Sequence, residues 1–235
     1  SHTQAGTAWH IPGWPTQLLL YGVYQLGGDL ARAALLAAAV LAAFAAIASA
    51  TSAEQPFVRV VALLFAAVVS SIYWAARPAL LSFLFAAITL AALRRPLSRS
   101  TWIALPIIML LWANIHGGFA IGFILIGLAL LGHATRWLFS RSEEDRRAVL
   151  ALAACCLTCA GAACLNPYGF EMLVYPFKTV GLQALGLYIQ EWQPPDLSAP
   201  LGQAFLAWVV VTLAVAALAW RRIEGPDLVV FLGAT

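Results

Sequence analysis

Apolar residues fall along this chain in long, nearly uninterrupted runs, separated by short links rich in Arg, Pro, Gly and Asn. Runs of that length read as membrane-crossing helices rather than as strands or the half-polar helices of a soluble core. The first, at 30–50, is rich in Ala and so is suited to close packing against a neighbouring helix. Others follow at 57–76, 78–93, 97–115, 119–139, 148–165 and 202–220, and a further one opens near Asp227. Pro78 suits a first helical turn, and Pro106 predicts a kink inside the 97–115 run. Before the first run lies a short apolar stretch, 17–26, with Trp9, Trp14, Tyr21 and Tyr24 around it. Such a belt of aromatic rings fits a helix lying in the membrane interface. The expected fold class is therefore all-α, a polytopic transmembrane bundle of about seven spans plus a partial eighth. Residues 1–29 form an exterior segment with the interfacial helix, and 30–235 form the bundle, including a long loop at 166–200. Both ends read as cut, so the chain is expected to be a fragment of a longer membrane protein that lacks the first span.

Composition agrees with the pattern. Hydrophobic residues make up 63% of the 235 and charged ones 10%, with a mean hydropathy of +0.87. Few soluble domains of this size hide that much apolar surface. The net charge of +3 does not point to nucleic acid, because the basic residues are scattered singly and in pairs. Their sides matter more. With 1–29 outside, Arg59, Arg94, Arg95, Arg99, Arg136, Arg141, Arg146, Arg147, Arg221 and Arg222 fall inside. Arg32, Arg77 and Lys178 stay outside. That asymmetry orients the bundle with 1–29 and 166–200 on the exterior, the periplasmic face of a bacterial inner membrane. A re-entrant hairpin at 78–115 would carry Arg94, Arg95 and Arg99 towards the bilayer centre, at about 2.5–3.5 kcal/mol each.

Chemistry-bearing residues collect on that exterior face. Asn114 and His116 stand in W-A-N-I-H-G-G, where the sequence supports either a helix stop with a tight turn or ligand contact. Arg77 reads either as an arginine reaching to headgroups or as the cation for a lipid phosphate, which guanidinium matches in a bidentate manner. Asn166 opens N-P-Y-G, a turn signature that also exposes an amide. Glu191 and Trp192 stand in I-Q-E-W-Q-P-P-D. The carboxylate is either solvated or a base, and the indole either anchors the interface or stacks on a sugar. Lys178, Glu171 and Asp196 are further charges of this face. Cys155, Cys156, Cys159 and Cys164 fall inside one span without histidines beside them, and are expected to be small packing residues rather than a metal or redox site. No metal ligands are expected, no cofactor is identified, and a divalent metal has no motif to support it.

The stretches W-A-N-I-H-G-G-F, L-N-P-Y-G, I-Q-E-W-Q-P-P, R-P-A-L-L-S-F and the opening S-H-T-Q-A-G-T-A-W-H-I-P-G-W-P resemble a family of bacterial polytopic membrane proteins. Those proteins are similar to GT-C glycosyltransferases, relatives of the dolichyl-phosphate-mannose protein mannosyltransferases. The resemblance implies a polyprenyl-phosphate-linked sugar donor, an active site at the exterior surface and an acidic residue early in the first exterior loop. Here Pro12-Gly13 precedes Trp14 where the family tends to show His-Glu, and residues 1–28 contain no Asp or Glu.

The expected function is that of a fragment of a membrane glycosyltransferase. Arg77, Asn114, His116, Asn166, Glu191 and Trp192 would bind substrate, with His116 and Glu191 the catalytic candidates. This segment alone is expected not to transfer sugar. Membrane lipids are the expected partners, with a polyprenyl-phosphate sugar and no nucleic acid. The alternative is a non-catalytic subunit that packs other membrane subunits on its Ala-rich first span. A transporter fits less well, because no inverted repeat or charge-bearing broken span appears.

Overall fold

The computed structural model describes residues 13–51, 56–94, 98–181 and 193–219, and among them the regular structure is entirely helical. In chain order the helices are α1 (Trp14–Ala50), α2 (Pro56–Ser70), α3 (Pro78–Leu93), α4 (Arg99–Ile115), α5 (Ala120–Ser140), α6 (Glu143–Ala163), α7 (Glu171–Val180) and α8 (Pro200–Ala219). Short 3-10 turns, Ser71–Tyr73 and Gly117–Phe119, lead into α3 and α5.

Among the described residues, three segments are long and apolar enough to cross a membrane: α1, Gly117–Ser140 and α6. The other apolar helices, Arg59–Ser70, α3, α4 and Pro200–Val215, have 10–17 residues. At 1.5 Å per residue, the 16 residues of α3 reach about 24 Å, against a hydrocarbon core of roughly 30 Å. Of the seven full spans expected from the sequence, three thus reach spanning length among the described residues, while α2 and α3, with 15 and 16 residues, fall about a turn short.

Local sequence explains most boundaries. α1 breaks at Gly27–Gly28, where Gly28 has φ +62°, a conformation that side chains disfavour. The break divides the aromatic 14–26 segment from the Ala-rich remainder. Just past it, Arg32 pairs with Asp29 and lies over the Tyr24 ring, 4.8 Å from its centroid. Pro78 begins α3, and Ser98 and Ser142 cap α4 and α6 by accepting from Thr101 N–H and Asp145 N–H. α4 continues as one helix through Pro106.

α3 is the hub, packed against α1, α4 and α5. The larger core joins α4, α5, α6 and α7 around buried Leu105, Met109, Trp112, Phe119, Ile126 and Met172, and Phe85 of α3 packs on it. Cys155 and Cys159 are free thiols buried in this core. A smaller core sets Ala39 and Val40 of α1 against Leu80. α2 and α8 lie at the periphery, joined by the stacked rings of Phe65 and Trp208 at 5.3 Å.

Candidate functional site

One end of the bundle gathers most of the sequence-predicted residues. α4 finishes at Ile115, and His116 follows in extended backbone, with φ −160° and ψ 144°. The chain then turns through Gly117–Phe119 into α5. The start of α1 closes over this end, since buried Thr16 donates its hydroxyl to Ile115 O at 2.9 Å. The Tyr175 ring of α7 packs closely against Gly117, where an added Cβ would lie 2.9 Å from it. The first part of the 166–200 loop therefore folds onto the bundle, and Met172 is buried in the main core.

His116 is held by a chain of hydrogen bonds that crosses three elements. Trp112 Nε1–H donates to Ser82 Oγ at 2.7 Å, and Ser82 Oγ lies 2.7 Å from His116 Nδ1. Gly118 N–H donates to the same Nδ1 at 3.1 Å. Only glycine fits at 118: a Cβ there would lie 2.7 Å from Ser82 Oγ and 2.8 Å from His116 Nδ1. Ser82 and Trp112 are buried, and His116 is half-buried. Among the described residues, no hydrogen bond to His116 Nε2 appears.

Burial pushes the His116 pKa below its ordinary 6.5, since the imidazolium is penalised away from water. His116 lies in the link outside the spans. In the unfolded chain its ring gains a proton near pH 6.5, whereas in the folded chain it stays neutral to lower pH. Folding stability should therefore fall as pH drops below about 6.5, down to the depressed folded pKa. Thermal unfolding in detergent between pH 7.5 and 5.5 checks this. The acid-induced decrease should be smaller in His116→Asn, and an equal decrease in both proteins would refute it.

The other predicted residues have more local occupations. Asn114 Nδ2 donates to Leu110 O at 2.8 Å and to Leu165 O at 3.1 Å, tying the end of α4 to the end of α6. Asn166 donates to Ala163 O and accepts from Tyr168 N–H at 2.7 Å, which closes the N-P-Y-G turn. Arg77 is exposed and occupies the N-cap position of α3, five residues before Ser82 and about 7.5 Å from it along the axis. Asp196 is exposed, and hydrogen bonds from the Ser198 hydroxyl and backbone N–H hold its carboxyl below the usual range. Glu191 and Trp192 lie outside the described residues.

Sequence reading missed Ser82, Trp112 and Gly118 as partners of His116. The only trace of Ser82 was a hydroxyl in a run whose one other polar residue is Thr89. It also missed a cluster at the opposite end of α5. There buried Asp145 accepts from His133 Nδ1 at 2.9 Å and lies 3.4 Å from Arg136 Nε. That cluster pins α5 to α6 beside the Ser142 cap. Among the described residues, no group of three His, Cys, Asp or Glu could hold a metal ion.

In comparisons with known proteins, no family model, curated protein or solved structure matches this chain.

Proposed function

We propose that this chain is part of an integral membrane protein of the inner membrane, with its helices crossing the bilayer as about seven spans. The end that carries Arg77, His116 and Tyr175 then faces the exterior. At that end it engages a polyprenyl-phosphate-linked sugar, as a GT-C-like glycosyltransferase does. The observation that supports this is the His116 cradle: a half-buried imidazole with one nitrogen fully engaged and the other without a partner among the described residues. It stands at the end of an apolar bundle, against Ser82 of the helix whose N-cap is the exposed Arg77. Guanidinium and imidazole near a membrane surface suit a lipid phosphate. A second reading, a non-catalytic subunit, is favoured by Asn114 and Asn166, whose amides are committed to the chain's own carbonyls.

A photoreactive polyprenyl phosphate, incorporated with the protein into nanodiscs, tests the lipid reading. Crosslinks should concentrate in residues 75–82, 112–118 and 166–178, and Arg77→Gln should reduce them. Crosslinks spread over the faces of α2 and α8 would instead favour the subunit. The same preparation supplied with lipid-linked sugars should form no product above a protein-free control, since no acid on the described chain is placed beside His116. Turnover abolished by Glu191→Gln would overturn that expectation and make Glu191 the base.

A further inference from the structure

We infer that Ser82 is a positioning residue for His116, which fixes the ring so that His116 offers Nε2–H to an oxygen acceptor and does not serve as the base. A backbone N–H can only donate, so the Gly118 contact requires Nδ1 to be unprotonated. The Trp112 indole N–H can likewise only donate, and it occupies one lone pair of Ser82 Oγ. At 2.7 Å from an unprotonated Nδ1, the Ser82 hydroxyl directs its hydrogen to the ring. Two donors thus line up in one sense, indole to hydroxyl and hydroxyl to imidazole Nδ1, with the Gly118 amide as a third donor converging on the same atom. A neutral imidazole carries one proton, and with Nδ1 taken as acceptor that proton sits on Nε2.

The chemical consequence is polarity. A nitrogen that already bears hydrogen has no lone pair to take a proton from an acceptor hydroxyl. It makes a hydrogen bond to an oxygen, and it is strongest towards an anionic one such as a phosphate or phosphodiester. Burial supports the neutral form. The identity of the acceptor rests on the lipid-phosphate reading above, whereas the direction of the hydrogen bond rests on the side-chain network alone.

Nitrogen NMR of the full chain in nanodiscs, with histidines labelled at both ring nitrogens, tests the two parts separately. The His116 signals are assigned by their loss in His116→Gln. Without ligand at pH 7.5, wild-type protein should show one tautomer with the proton on Nε2. A proton on Nδ1 would overturn the inference. Ser82→Ala should give averaged ring-nitrogen shifts as the ring loses its anchor, and a pattern unchanged from wild type would remove Ser82 from the role. Should Ser82→Ala fail to fold, His116→Asn separates the functions, because its Oδ1 can replace Nδ1 as acceptor but supplies no group in place of Nε2–H. That variant should fold like wild type and hold polyprenyl phosphate about tenfold more weakly. Retention equal to wild type would overturn the donor assignment. Wild-type protein that shows the Nε2 tautomer yet holds no polyprenyl phosphate would sink the lipid reading and leave the hydrogen-bond direction standing.

Discussion

Trp112→Ala should destabilise the bundle by about 3–5 kcal/mol, the largest loss expected from a single substitution in this chain. Trp112 is fully buried where α4 meets α3 and α5, with the Phe85 ring 5.7 Å away. Its removal leaves a void that neighbouring helices fill only in part. The water-transfer share of such a loss shrinks in lipid, but the lost contacts do not, because packing is what holds membrane helices together. The indole N–H adds a separate contribution, since Ser82 Oγ loses its donor. Trp112→Phe keeps most of the ring and should lose only about 1 kcal/mol, mostly that hydrogen bond. Thermal unfolding of the detergent-solubilised variants measures both, and a Trp112→Ala midpoint equal to wild type would contradict this packing.

The second large effect is expected from a single added methyl. Gly118→Ala places a carbon within 2.7–2.8 Å of Ser82 Oγ and His116 Nδ1. Neither neighbour is the tip of a long, adaptable side chain, and both are tied by hydrogen bonds, so the turn itself must move. Overpacking of this kind costs about 1–3 kcal/mol. It should also reduce polyprenyl-phosphate retention as much as His116→Asn does, because the ring loses its cradle. Gly127→Ala is the control: open space surrounds a Cβ there, so stability should hold or rise slightly. Equal behaviour of the two alanine variants would show that the close approach at Gly118 carries no weight.

The aromatic 14–26 segment, its break from the Ala-rich run and the proline start of α3 were legible because each depends on a few adjacent residues. The 166–200 loop was legible in part. Its apolar residues pointed to docking on the bundle, and Met172 and Tyr175 dock there. Asn114 and Asn166 looked alike in the sequence as exposed amides beside turns. Only their partners, Leu165 O for one and Ala163 O for the other, distinguish a tie between helices from a local turn. His116 stood out as an imidazole before two glycines, but nothing nearby in the chain showed which nitrogen is engaged.

By itself, then, the sequence determined the apolar, helical character of the chain, the approximate limits of its helices and the one-sided distribution of its arginines. Those properties follow from composition and short-range pattern, which act on each segment regardless of its neighbours. The tertiary structure decided the burial of Cys155, Cys159 and Asp145, and the meeting of Ser82 with His116 across 34 positions of chain. Such meetings depend on how each helix is rotated about its own axis when it packs. That rotation is set by the joint fit of several helices, here around Trp112, and no single segment encodes it.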